Sequence, residues 1–154
     1  TLFCFSSVSA AFAFCQSKAH DANVRFTGFL IGEAKDKAIT ELSVLVVPSD
    51  FENFGNIVSE ALVRGVPVIA SKGTPWKELE SYNCGWWINN DQDTITQTIL
   101  DAYNIGKEMR FNMGMNGKSL MRNNYSVDVL GAKMKSLYSW VLGQTSKPDF
   151  VYED

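Results

Sequence analysis

Histidine and cysteine are scarce in this 154-residue chain, and their scarcity limits the chemistry it can perform. The single His20 stands in a polar stretch and excludes any mechanism that needs two imidazoles. The three cysteines, Cys4, Cys15 and Cys84, show neither a disulfide framework nor a zinc-binding spacing. Their odd number and irregular spacing suit a reducing compartment, so the sequence predicts a cytoplasmic protein without a metal site.

Long apolar runs and an excess of positive charge are also missing. No run of about 18 apolar residues occurs, which argues against a membrane-spanning helix. The formal net charge of −3 gives no electrostatic reason to expect a nucleic-acid partner. The apolar residues 1–15 lack an initiating Met and a positively charged leading segment, so we interpret them as part of a fold, not a secretory signal. The chain is therefore expected to be a fragment of a longer protein.

Strand-like and helix-like segments alternate along the chain. The run 44–47 is continuous and β-branched, as in a strand buried on both faces of a parallel sheet. Strands are predicted at 2–5, 24–29, 44–47, 66–70 and 85–88. Helices are predicted at 7–19, 32–42, 56–64, 92–105, 107–123 and 127–142, with a further one starting at Thr74-Pro75. This alternation predicts an α/β fold with a doubly wound, Rossmann-like parallel sheet.

The last predicted helix carries one apolar face. Its period of apolar residues predicts that the helix packs against the rest of the domain. Residues on this face are Leu130, Met134, Leu137, Tyr138 and Val141. Residues 144–154 show no such period and are predicted to form a tail, which leaves 1–143 as the domain.

Two glycine-containing loops occur where open parallel sheets bind ligands, beyond the carboxyl ends of the strands. The first covers 48–56, and the second covers 71–74. Each is predicted to lead directly into a helix N-terminus, which favours an anion. In the second loop, Thr74 is the expected N-cap, followed by proline at the first helical position. Two adjacent helix starts suit a diphosphate, and Lys72 adds a positive charge.

Two glutamates frame the first helix start. Glu52 lies in the loop and Glu60 lies just over one turn into the predicted helix, so both can line one cleft. Carboxylates accept hydrogen bonds from paired hydroxyls, which fits a ribose at one end of a ligand and a hexose at the other. The spacing alone is just as consistent with two residues that bind nothing. In that interpretation Glu60 is a solvent-exposed helix residue and Glu52 is a charged loop residue.

The surroundings of this pair resemble the signature of group 1 glycosyltransferases (family 4). The likeness runs from about residue 24 to residue 140. Its central motif is Glu52-x-Phe54-Gly55-x-x-x-x-Glu60-Ala61, followed by Gly65-x-Pro67-Val68-Ile69-Ala70 and Ser71-x-Gly73-Thr74-Pro75. The resemblance implies the C-terminal half of a glycosyltransferase-B fold, with C-terminal helices. It further implies a donor-binding domain that is incomplete at its N-terminus.

The resemblance also implies a role for each matching position. Glu52 resembles the catalytic glutamate beside the transferred sugar, and Glu60 resembles the one that binds the ribose hydroxyls. The other implied donor-binding residues are Leu30 and Ile31 for the base, Phe54, Gly55, Asn56 and Ile57 through their backbone amides, and Ser71, Lys72, Gly73 and Thr74 in the second loop. The family implies no metal and no cofactor, with a nucleotide-diphosphate sugar as the donor substrate.

The implied function is retaining transfer of a sugar to an acceptor glycan or lipid-linked glycan. The second loop departs from the family's usual pair of glycines and resembles enzymes of bacterial cell-surface polysaccharide synthesis. The family's phosphate-binding Arg and Lys segments have no counterpart between Thr1 and Val24, and we expect the acceptor domain to lie outside this sequence. We therefore expect the chain alone to be inactive. Its implied partner is an N-terminal acceptor domain, which could also bring it to the inner face of a membrane.

Other interpretations stay open at this point. A nucleotide-sugar epimerase of the same architecture and a non-catalytic nucleotide-sugar-binding module both fit the two loops. A flavodoxin-like signalling domain needs acidic residues after the first strand, and 2–7 contains none. Trp76 fits a sugar-stacking platform and core packing about equally, whereas Cys84, next to a turn glycine, is interpreted as inert.

Overall fold

The computed structural model describes residues 2–4 and 24–152. Within these ranges, five strands and six helices follow one another along the chain. The strands are β1 (Leu2–Cys4), β2 (Val24–Phe26), β3 (Leu45–Val47), β4 (Val68–Ser71) and β5 (Gly85–Ile88). The helices are α1 (Gly32–Thr40), α2 (Asn56–Arg64), α3 (Glu78–Ser81), α4 (Gln92–Asn104), α5 (Gly106–Asn124) and α6 (Val127–Val141). The predicted helix at 7–19 and His20 lie outside the described residues.

All strand pairs in the described part of the chain are parallel. β1 pairs with β2, and a second sheet has the order β3-β4-β5. In the second sheet Val47 lies opposite Ala70, which in turn lies opposite Trp87. Helices α2 and α3 connect these three strands, as parallel pairing requires. The predicted α/β, Rossmann-like fold class is thereby confirmed.

Strand β4 begins two residues later than predicted, for a backbone reason. The amide of Val66 donates to the Ala61 carbonyl at 3.0 Å and so belongs to the end of α2. Pro67 has no N–H to contribute to a ladder. Regular pairing can therefore begin only at Val68, and the strand then extends to Ser71, one residue beyond the prediction.

The core lies between the β3-β4-β5 sheet and helices α2 and α5. Two glycines on α5 allow the helices to approach closely, because a Cβ at Gly114 would overlap the Gly65 carbonyl and one at Gly117 would lie 2.8 Å from Leu62. The buried cluster includes Ile39, Leu45, Val47, Val58, Ala61, Leu62, Val66, Val68, Ala70, Trp76, Leu79, Cys84, Leu120 and Met121. Trp76 is thus part of the core, and its side chain is unavailable as a stacking surface.

Cys84 behaves as a structural residue. It is a free, buried cysteine. Burial raises the pKa of its thiol to about 11, and the nearby Glu78 carboxylate adds to this effect. At neutral pH the thiol stays protonated and unreactive, which confirms its interpretation as inert.

The last helix packs only loosely along its predicted apolar face within the described residues. Helix α6 contains no buried residue, and Leu130, Met134, Tyr138 and Val141 are all exposed. The periodicity correctly predicted a helix, and of the predicted face only Leu137 is half-buried. No helix in that part of the chain is long and apolar enough to cross a membrane.

Candidate functional site

The first loop, residues 48–55, connects β3 to α2 and is tied through its backbone to residues that follow β4. The Glu52 amide donates to the Gly73 carbonyl at 2.9 Å. The Ser71 hydroxyl donates to the Ser49 carbonyl, and the Trp76 indole N–H donates to the Phe54 carbonyl. We call residues 48–55 the glutamate loop, because these bonds fix the backbone that carries Glu52.

Two further contacts hold the start of the glutamate loop. The Asn90 side-chain amide donates to the Pro48 carbonyl at 3.3 Å and to the Asp50 carboxylate at 2.7 Å. Gly73 lies so close to this loop that a Cβ there would overlap the carbonyl oxygens of Ser49 and Asp50. A glycine is therefore required at position 73 by close backbone contact between the two loops.

Helix α2 begins directly after the glutamate loop, at a left-handed glycine. Gly55 has φ +73° and occupies the N-cap position, where it has no side chain to cap the helix. The first amides of a helix have no partner within it. The N-terminus of α2 therefore offers backbone N–H groups, including those of Asn56 and Ile57, together with the positive end of the helix dipole.

Glu60 lies on α2, one turn beyond its start, and an ammonium group engages its carboxylate. Lys35 of α1 donates to Oε1 at 2.9 Å, and its Nζ lies 2.7 Å from Oε2. Oε2 is shielded from solvent and receives no well-aligned hydrogen bond from any residue that the structure describes. The carboxylate thus keeps acceptor capacity, but a ligand must share it with Lys35 or displace Lys35 to use it.

Lys35 was not among the predicted site residues. It lies four residues after Ile31, so α1 joins the predicted base-binding segment to Glu60. A second ion pair between the same helices joins Arg64 and Asp36. Ile31 is exposed and occupies the N-cap position of α1, and Leu30 is half-buried.

Glu52 differs from Glu60 in its surroundings. Its side chain is half-buried. Its Cγ lies 3.2 Å from the position that a Cβ on Gly55 would occupy, so the side chain packs beside the α2 N-terminus. Within the described ranges, no side chain forms an ion pair or hydrogen bond with its carboxylate. Glu52 is therefore the uncommitted acidic group at this helix start.

The predicted helix start at Thr74-Pro75 is wrong. The Thr74 hydroxyl and amide both bond the Ser71 carbonyl, at 2.8 and 3.0 Å, and form a turn. Helix α3 begins only at Glu78 and is four residues long. The chain turns inward first because Trp76, 1% exposed, must reach the core. Of the two helix N-termini predicted to follow the two loops, only that of α2 is the start of a helix longer than four residues.

The second loop, residues 71–74, supports the glutamate loop. Ser71 and Thr74 are buried with their hydroxyls bonded to backbone carbonyls, and the Lys72 amide donates to the Ile88 carbonyl at 2.7 Å. The Lys72 side chain is exposed, with Nζ 6.0 Å from the centre of the Trp87 ring. Among the predicted donor-binding residues of this loop, only Lys72 has an exposed side chain.

The described residues contain no group of three His, Cys, Asp or Glu side chains that could hold a metal ion. Among the described residues, the groups near the glutamate loop and α2 that favour an anion are the α2 N-terminus and basic side chains. Lys72 follows β4, and Lys35 already pairs with Glu60.

Comparison with known proteins defines the class to which this fold and site belong. The chain belongs to the family described as glycosyl transferases group 1, whose profile matches residues 10–120. It is 27% identical over 119 residues to the alpha-1,3/1,6-mannosyltransferase alg2 of Schizosaccharomyces pombe, covering 77% of this chain and 24% of that protein. It is 25% identical over 123 residues to the O-antigen biosynthesis glycosyltransferase WclY of Escherichia coli, covering 79% of this chain and 33% of that protein. The chain thus spans about a quarter to a third of these relatives.

Solved structures share the fold. Sucrose-phosphate synthase from Thermosynechococcus elongatus superposes with a TM-score of 0.73 at 21% identity, over 86% of this chain and 34% of that one. The S. aureus protein TarM, described in complex with fondaparinux, alpha-GlcNAc-glycerol and UDP, gives a TM-score of 0.70 at 22% identity over 94% of this chain and 29% of that one. These structures support the predicted fold, and the profile match confirms the family resemblance predicted from the sequence.

Proposed function

We propose that this chain is the donor-binding part of a retaining glycosyltransferase, which transfers a sugar from a nucleotide-diphosphate sugar to an acceptor glycan or lipid-linked glycan. The observation that carries the proposal is the helix start at Gly55, with free backbone amides flanked by two glutamates in different environments. A diphosphate suits the amides and the helix dipole, and carboxylates suit sugar hydroxyls. Membership of the family favours transfer over the epimerase alternative.

In this proposal the two glutamates have separate tasks. Glu60 accepts hydrogen bonds from the ribose hydroxyls, which take over acceptor sites now facing Lys35. Glu52, which has no ion-pair partner among the described residues, lies beside the transferred sugar and stabilises the positive charge that develops there. The backbone amides of Phe54, Gly55, Asn56 and Ile57 meet sugar hydroxyls and phosphate, and Leu30 and Ile31 hold the base.

The second loop has a smaller direct part in this proposal than the first. Lys72 supplies a positive charge to the diphosphate from its exposed position, and no metal or other cofactor is needed. The other three residues of this loop face the donor through backbone atoms only. The hydroxyls of Ser71 and Thr74 are already hydrogen-bonded, and Gly73 is packed against the glutamate loop.

The acceptor site lies outside the described residues in this proposal. The chain spans only 24% and 33% of its two curated relatives. We propose that the rest of the complete protein contributes the acceptor domain and the remaining phosphate-binding residues. The O-antigen relative, together with the departure in the second loop, favours bacterial cell-surface polysaccharide as the product class.

Calorimetry on the complete protein that contains this chain tests the donor assignment. A panel of UDP-, GDP- and ADP-sugars should contain at least one ligand that binds, and the TarM complex makes UDP the first choice. Glu60→Gln should then weaken that binding by roughly tenfold to a hundredfold, because hydrogen bonds to a charged acceptor are lost.

Glu108→Gln, at an exposed glutamate in the first turn of α5, is the matched control and should bind like the wild type. If Glu60→Gln bound the ligand as tightly as the wild type, Glu60 would not bind the ribose. If no nucleotide sugar in the panel bound, the protein would not use this class of donor. NMR of the product's anomeric proton checks retention, and an inverted product would refute it.

A further inference from the structure

Trp76 is buried beneath the glutamate loop, and its only polar atom points into that loop. The side chain is 1% exposed. A buried indole N–H needs an acceptor, and here the acceptor is the Phe54 carbonyl. Phe54 immediately precedes the left-handed Gly55, so this bond fixes the peptide group at which the chain turns into α2.

Gly55 lies close to both the indole and the side chain of Glu52. A Cβ on Gly55 would be 3.4 Å from Trp76 Nε1 and 3.2 Å from Glu52 Cγ. The indole and the Glu52 side chain can both approach the Gly55 backbone this closely because Gly55 has no side chain. A displacement of the indole is therefore transmitted through the Gly55 backbone to both the α2 amides and the Glu52 side chain.

The indole itself is held by an aromatic cluster. The ring centroid of Trp76 lies 5.1 Å from that of Phe54 and 5.5 Å from that of Tyr125, and Phe54 and Tyr125 are 6.0 Å apart. The Tyr125 hydroxyl donates to the Glu78 carboxylate at the start of α3. Burial, and then this hydrogen bond, raise the pKa of Tyr125, so the hydroxyl remains a donor at neutral pH.

We propose that Trp76 is a positioning residue for the reaction: its indole N–H holds the Phe54 carbonyl and thereby sets the α2 amides and the Glu52 carboxylate relative to the transferred sugar. This inference rests on the proposed function, because Glu52 must act at the sugar for its position to matter. Trp76 acts through the loop and does not touch the donor.

The test is steady-state kinetics on the complete protein with Trp76→Phe, which keeps an aromatic ring and removes the N–H. Misplacement of a reacting group by a fraction of an ångström to 1 Å lowers the rate steeply, so kcat should fall about tenfold or more. The affinity for the nucleoside diphosphate should fall by a smaller factor than kcat, because Glu60 still binds the ribose when the α2 amides shift.

Trp87→Phe is the matched control. It removes an indole N–H that donates to the Thr74 carbonyl at 2.9 Å and does not reach the glutamate loop. Trp87 borders Lys72 and Thr74 of the second loop but leaves the glutamate loop untouched, so the kcat of Trp87→Phe should fall less than that of Trp76→Phe. Equal kcat values for the Trp76 and Trp87 variants would overturn the proposal, as would a fall that both variants share in proportion to lost thermal stability.

Tyr125→Phe provides a second variant if Trp76→Phe folds poorly. It removes the hydroxyl that anchors the aromatic cluster while leaving every ring in place, and kcat should fall less than in Trp76→Phe but more than in Trp87→Phe. A wild-type kcat in Tyr125→Phe, when the Trp76 variant does not fold, would overturn the positioning role. If the proposed function itself were wrong, the wild-type protein would transfer no sugar. That outcome differs from failure of the positioning role, in which the wild type is active and the variants match it.

Discussion

Glu52 and Glu60 stand on either side of the start of α2, yet the protein holds them by different means. The backbone at Glu52 is bonded to Gly73, and the surrounding loop is bonded to Ser71, Trp76 and Asn90. Glu60 belongs to a helix, and its carboxylate is engaged by a half-exposed lysine. One glutamate therefore has a fixed backbone and an uncommitted carboxylate, whereas the other has a carboxylate that is already paired.

This difference separates two kinds of functional group. Breaking a hydrogen bond to a buried backbone group costs about 1–3 kcal/mol, so the glutamate loop keeps its shape when a ligand arrives. A partly exposed ion pair contributes about 0–1 kcal/mol, so Glu60 can exchange Lys35 for ligand hydroxyls at little cost. The first arrangement suits a group that acts on a transition state, and the second suits a group that binds and releases a nucleotide.

Gly73→Ala should produce the largest loss of stability, because it separates the two loops. A Cβ at this position meets the backbone oxygens of Ser49 and Asp50, which cannot rotate away as a flexible side chain could. Overpacking of this kind costs about 1–3 kcal/mol. Urea unfolding of the 154-residue chain measures the change.

Gly131→Ala is the control for the glycine experiment. Gly131 lies on α6 with no atom within 4 Å of the position of an added Cβ. Alanine is favoured over glycine inside a helix, so stability should rise by up to about 1 kcal/mol. If Gly73→Ala were as harmless as Gly131→Ala, the glutamate loop would be less tightly fixed than the structure indicates.

Lys35→Met should have a smaller effect, which a double-mutant cycle with Glu60→Gln isolates. Both side chains are about one-third exposed, at 31% and 32%, so water screens the pair. The coupling free energy should be below about 1 kcal/mol and should shrink further in about 1 M salt. A coupling of about 2 kcal/mol or more would mean that Glu60 is held as firmly as the glutamate loop.

The sequence predicted those elements that depend on local pattern. Helix α2 and strand β5 have the predicted bounds, because a left-handed Gly65 ends α2 and Gly85 opens β5. Asp91 caps α4 and accepts a hydrogen bond from the Thr94 amide at 2.9 Å. These features need only neighbouring residues, which a sequence displays directly.

The features that failed depend on contacts between distant residues. Thr74 and Pro75 form a strong local helix signal, but burial of Trp76 and the bonds to the glutamate loop override it. The pairing of Lys35 with Glu60 joins residues 25 apart, and the bond from Trp76 to Phe54 joins residues 22 apart. Nothing in the spacing of these residues indicated that they meet.

The catalytic assignment of Glu52 is the central claim, and kcat for Glu52→Gln in the complete protein tests it most directly. The amide keeps the size of the side chain and the backbone bonds of the loop, and removes the charge. Loss of a charged group at the reacting centre should lower kcat by about a hundredfold or more, while the affinity for the nucleoside diphosphate remains that of the wild type. An unchanged kcat in this variant would contradict the account.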